Sequence, residues 1–163
     1  MNAKDVIRIA LTSTQNRVPM FLNDLSDADI LVRPVPGANH IAWQLGHVIA
    51  SECRLGKQLP GAEYPELPAG FAEQHSKPNA SMDTPKNFGT KAQYLDLFNK
   101  VRQATLANLD RLSDADLDKP TTGDIAKMAP TLGAILLLTS THAMMHAGQF
   151  SVVRRKLGKP ILF

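Results

Sequence analysis

Only one of the 163 residues, Cys53, is cysteine, so the chain closes no disulfide on itself, and a reducing compartment suits it. No apolar stretch approaches the length of a membrane-spanning helix. The opening Met-Asn-Ala-Lys-Asp-Val-Ile-Arg lacks the apolar core of a secretion signal. No segment alternates apolar and polar residues as a half-buried strand does. Dense charge of one sign is also missing. The formal net charge of +3 comes from scattered Lys and Arg. The one basic cluster, Arg154-Arg155-Lys156 with Lys159, falls where a helix C-terminus favours cations. These absences point to a cytoplasmic all-α protein that works neither on a membrane nor on nucleic acid.

What is present is a helical rhythm. The length suits a single domain, residues 1–163, with room for a core that needs no covalent staples. Apolar residues step by three and four through residues 3–25 (Ile7, Leu11, Thr14, Val18, Leu22), where Pro19 should kink or break the helix. A second helix spans 39–59, with Asn39 as its N-cap and Leu59-Pro60-Gly61 as its stop. A third runs over 85–112 from Thr84-Pro85, and a fourth over 130–157, stopped by Gly158. Pro60, Pro65, Pro68, Pro78 and Pro85 break the rhythm between the second and third helices. That stretch reads as a long crossover or lid, whose Tyr64, Phe71 and His75, with Phe88, drape over something below. The fold class is therefore an all-α four-helix bundle with a long crossover between helices two and three.

The connections repeat. Leu25-Ser-Asp-Ala-Asp-Ile30 and Leu112-Ser-Asp-Ala-Asp-Leu117 each follow a long helix and precede a helix carrying histidines. Two equivalent halves imply a pseudo-two-fold bundle with the second and fourth helices side by side. All connections are longer than the roughly 2–8 residues of a tight helical hairpin, so simple up-down-up-down winding is not forced.

The chain is organised around Thr139-Ser-Thr-His142-Ala-Met-Met-His146-Ala-Gly-Gln149. Residues four apart stand one above the other on a helix. At 3.6 residues per turn, His142 and His146 share a stripe with Ile135, Leu138, Thr139, Gln149, Val153 and Leu157. The pair is thereby expected in the middle of the buried face. Buried imidazoles need partners; backbone or water could serve, and a metal ion would satisfy both at once. If the second helix faces the fourth, His47 is the third ligand. His40 lies two turns away, about 10 Å along the axis, too far to share an ion whose metal–nitrogen bonds are about 2 Å. It is left a solvent-facing or supporting role. Trp43 reads as pocket wall or core. Gln149 reads as a residue orienting a ligand or as a buried amide. Cys53, about 120° around the helix from His47, reads as a packed thiol. Three histidines without a fourth protein ligand leave an open position, the pattern of catalytic sites, where a thiol or water would be acidified.

Two stretches carry a family resemblance. Asn39-His-Ile-Ala-Trp-Gln-Leu-Gly-His47-Val-Ile-Ala-Ser-Glu52 resembles the second-helix motif of the DinB-like four-helix metal-binding family. His142-x-x-x-His146-x-Gly-Gln149-x-Ser-x-x-x-Arg-x-Leu-Gly158-Lys-Pro resembles its fourth-helix motif. The resemblance implies up-down-down-up winding and a nickel or zinc ion held by His47, His142 and His146. Some members of that family are thiol S-transferases or isomerases using bacillithiol, mycothiol or glutathione. The function it implies is a metal-dependent thiol S-transferase taking a low-molecular-weight thiol and a small-molecule substrate, with a homodimer as possible assembly. The alternative is a non-catalytic bundle, in which the ion pins helix two to helix four or the open site holds a small ligand.

Overall fold

Asn2 opens the first helix with a capping box. Its side chain accepts from the Asp5 N–H at 2.8 Å, and the Asp5 carboxylate accepts from the Asn2 N–H at 3.2 Å. In the computed structural model, which describes residues 1–162, this helix (α1) runs Ala3–Met20. It stops at Met20, not at residue 25, because Pro19 ends the ladder within its last turn. The second helix, α2, is Ile41–Gly56, and its cap is His40, not Asn39. The His40 Nδ1 accepts from the Trp43 N–H at 3.1 Å. The crossover holds a short α-helical turn, α3 (Phe71–Gln74), and a 3-10 turn, Lys77–Asn79. The next long helix, α4 (Lys91–Arg111), starts later than Thr84-Pro85 predicts. Pro85–Asn87 form a separate 3-10 turn, and Thr90 with Gln93 makes the capping box. A short α5 (Asp114–Leu117) precedes α6 (Leu132–Lys156), which is capped by Thr131 and ends before Gly158, whose φ is +67°. Only glycine takes that left-handed conformation at low cost. Among the described residues the four expected helices are thus joined by two one-turn α-helices and four 3-10 turns.

Side-chain pairings fix the winding. Lys4 and Arg8 at the start of α1 bond to Asp110 near the end of α4, so these two run antiparallel. Ser140 reaches the Ala10 carbonyl and Arg154 the Phe21 carbonyl, so α1 and α6 run parallel. Gln44 meets His146 while Leu55 packs with Ile135, making α2 and α6 antiparallel. The bundle is up-down-down-up, and α1 and α2 each pack on both α4 and α6. Because α2 and α4 point the same way, the crossover must return along the bundle, about 24 Å for a helix of this length. That requirement explains its size.

Phe98, Phe150, Ile49 and Leu45 anchor the main core; Leu11, Leu109 and Leu136 anchor a second cluster. The two Leu-Ser-Asp-Ala-Asp connections plug opposite ends. In each, a serine and the aspartate three residues later cap one another (Ser26 with Asp29, Ser113 with Asp116). The apolar residue that follows, Ile30 or Leu117, is buried. Among the described residues the one extended pairing is an isolated bridge between Pro120 and Thr131. No helix there is long and apolar enough to cross a membrane.

Candidate metal centre

Helix α6 is wedged between α1 and α2, so its contact face is broad and centred on small residues, Ala143 and Ala147, that admit close approach. The stripe through the histidines is therefore not the middle of the buried face, as periodicity suggests, but its border on the α2 side. His146 is 5% exposed, His142 is half-buried and Gln149 is exposed. From α2, the half-buried His47 projects toward both. Its ring centroid lies 5.2 Å from that of His142 and 5.5 Å from that of His146, and the two α6 rings are 4.8 Å apart. Trp43, one turn before His47, lies parallel on it at 4.9 Å and 8°.

Hydrogen bonding decides which nitrogens are free. The His47 Nδ1 is 3.1 Å from the His75 carbonyl, which can only accept, so Nδ1 carries the proton and Nε2 the lone pair. The Gln44 amide nitrogen donates to the Asn39 carbonyl at 2.7 Å, which turns its oxygen toward the His146 Nδ1 at 3.0 Å. His146 thus also presents Nε2 as a lone pair. The Nε2 atoms of His146 and His142 are 3.2 Å apart, so a proton or a cation must lie between them. Two nitrogens bound tetrahedrally to one ion at 2.0–2.1 Å are separated by about 3.3 Å. The ligand atoms of all three histidines lie within 4.8 Å of one another. Two such bonds span at most about 4.2 Å, so an ion would draw the rings slightly inward. The donor set suits a divalent ion: three neutral imidazoles, two of them oriented by acceptors behind them.

Burial pushes both α6 histidines down to about 4 and lowers His47 as well. All three are neutral at pH 7 and ready to ligate. The unfolded histidines titrate near 6.5, so between about 6.5 and 4 the unfolded chain binds more protons. Stability of the metal-free protein is therefore fully present above the upper value and falls as pH drops through that window. Urea midpoints at pH 7, 6 and 5 are expected to decrease in that order; a flat series would show the rings to be solvated.

The remaining candidates fall elsewhere. His40 caps α2 with one nitrogen, places the other 3.3 Å from the Met82 carbonyl and packs edge-on against Phe88, so neither nitrogen faces the triad. Trp43 lines the cleft over the triad and Gln149 stands at its rim. Cys53 is buried, and desolvation pushes its thiol up to about 12, so it supplies no thiolate at neutral pH. The cleft holds about 650 Å³, with Trp43, Leu138, Met128 and Met145 as its apolar wall.

Two residues that orient the triad rings go beyond the sequence reading, which passes over Gln44 and takes His75 only as part of the draping crossover. Gln44 is a lone amide within the apolar run Ile41–Ile49, and a buried polar group of that kind signals a required partner. Gln44→Met is expected to weaken metal affinity about 10–100-fold. Competition against a chromophoric chelator measures this, and a change under about twofold would deny the role. His75 is the second. Its ring bonds the Phe71 carbonyl at 2.8 Å and the Tyr94 hydroxyl at 2.8 Å while lying on Gly46. A Cβ at Gly46 would sit 2.0 Å from the His75 Cδ2. Gly46→Ala should therefore cost about 1–3 kcal/mol by overpacking and loosen the carbonyl that holds His47. An unchanged melting temperature would mean that the crossover yields freely.

The family model of the DinB superfamily matches residues 10–150. Among solved structures, a conserved protein from Enterococcus faecalis superposes with a TM-score of 0.69 at 16% identity, covering 98% of this chain and 99% of that one. At that identity the likeness speaks for the fold alone. No curated protein matches the chain.

Proposed function

This chain belongs to the DinB superfamily, and we propose that it holds one divalent ion, zinc or nickel, on His47, His142 and His146 and serves as a thiol S-transferase. The observation that carries this reading is the convergence of three imidazoles, two locked with Nε2 free, beneath an open cleft and with no fourth protein ligand in their cluster among the described residues. A bound ion supplies a Lewis acid that deprotonates a thiol or water at neutral pH. The protein's own residues do the rest. Gln44 and the His75 carbonyl hold two rings in one tautomer, and Trp43 braces His47 by stacking. Leu138, Met128 and Met145 give the open cleft an apolar wall. The thiol comes from a small molecule, because the chain's single cysteine stays protonated in the core.

A purely structural ion is disfavoured by where the triad sits. The bundle closes on its own cores and on a buried Arg102–Glu52 pair, whereas His142 and His47 lie half-buried at their edge. A structural ion should take most of the folding stability with it when chelated; a catalytic one should leave a folded bundle. The deciding experiment is elemental analysis of the purified protein, followed by turnover of an electrophile with a panel of low-molecular-weight thiols. Background rates with every thiol would defeat the transferase reading.

A further inference from the structure

The polar stripe that carries Trp43 and His47 continues along α2 to Ser51 and Arg54. Ser51, one turn beyond His47, is only 8% exposed, and its hydroxyl makes no hydrogen bond among the described residues. It faces a recess of about 470 Å³ bounded also by Arg54, Lys57, Ser76 and Lys77. His47 and Lys77 line both this recess and the cleft over the triad, so the two adjoin.

The charge of the recess is one-sided. Its charged lining residues are Arg54, Lys57 and Lys77, with no carboxylate, and none of the three forms an ion pair among the described residues. Elsewhere Arg8, Arg33, Lys119 and Arg154 each meet an aspartate. The positive field of Lys77 and Arg54 reaches both His47 and His142. A divalent ion on three neutral imidazoles would keep its full charge and add to the positive field of these cations. A ligand with negative charge offsets that field. A little-exposed serine with no protein hydrogen bond, beside exposed guanidinium and ammonium groups that carry no ion pair, is the donor set an oxyanion accepts from.

We propose that the recess of Ser51, Arg54, Lys57 and Lys77 binds the carboxylate or phosphate of a small molecule whose other end reaches the histidine triad. This rests on the metal-centred reading above. Seven residues separate His47 from Arg54, so such a ligand spans about 10 Å. It is anionic at one end and lies against Trp43, Leu138 and Met145 near the other.

The test titrates the full chain at low salt with inorganic phosphate and, separately, with succinate, each with and without added zinc, by calorimetry. One saturable site is expected for at least one of the two anions. Arg54→Gln combined with Lys77→Gln should weaken it at least about tenfold, because charge-assisted bonds are lost. The control pair Arg155→Gln with Lys156→Gln, exposed on the last turn of α6, should change it less than about twofold. A preference for phosphate or for succinate identifies the oxyanion, and either supports the site. No saturable binding of either, or equal weakening in both double variants, overturns it. Zinc content is read on the same samples. A chain that takes up no zinc fails the metal reading, while the anion titration without zinc still decides the recess.

Discussion

Replacing Glu52 by glutamine should destabilise the fold by about 3–5 kcal/mol, because it strands a buried guanidinium. Arg102 is 0% exposed and meets Glu52 through two parallel bonds, Nε to Oε1 at 2.8 Å and Nη2 to Oε2 at 2.9 Å. Its third nitrogen donates to the Leu11 carbonyl at 2.7 Å and to the Thr14 hydroxyl. Thr105 donates to Glu52 at 2.6 Å, and Tyr64 bonds to Thr105 at 3.1 Å. One network thus ties α1, α2, α4 and the crossover. In a chain of this length each kcal/mol moves the melting temperature by roughly 2–4 °C, so the expected fall is about 6–20 °C. Replacing both charges, Glu52→Leu with Arg102→Met, should recover part of the loss, since no charge remains buried. Recovery stays partial because the Leu11 carbonyl and the Thr14 and Thr105 hydroxyls each lose one bond. Thermal melts and urea midpoints measure both variants. A single variant within about 1 kcal/mol of the parent would mean that water reaches Arg102.

Metal loading is expected to give the second large effect. An ion that binds only the folded state, at about a thousand times its Kd, adds about 4.1 kcal/mol. On the same scale that raises the melting temperature by roughly 8–16 °C. His142→Ala and His47→Ala should abolish both the rise and the bound metal. His40→Ala should keep both and lose roughly 1 kcal/mol with the α2 cap. The triad would be refuted as the site by equal zinc content in parent and His142→Ala proteins, or by a zinc-induced rise that persists in both triad variants.

Much of this was legible along the chain. The apolar steps of Ile7, Leu11, Thr14 and Val18 mark α1, and the five prolines mark the crossover. The repeated Leu-Ser-Asp-Ala-Asp connections mark two equivalent junctions, which the structure shows to be capped alike. The four-residue spacing of His142 and His146 stacks them on one side of any helix. These features depend on neighbours a few residues away, which periodicity and capping rules describe.

The rest depended on partners far off in sequence. Periodicity centred the α6 stripe on the histidines, but packing between α1 and α2 moved the buried face to Ala143 and Ala147 and left His142 half-open. Sequence preference put the α2 cap at Asn39; the His40 ring, which reaches the Trp43 N–H, takes that place instead. Gln44 and His75 became tautomer locks only because α6 and the crossover come to rest against α2. Alone, then, the sequence determined the four long helices and the three imidazoles. Tertiary structure decided which nitrogens face inward, how open the site stands and which cations surround it. The physical reason is that hydrogen-bond acceptors, burial and fields act through space between segments that no local pattern joins.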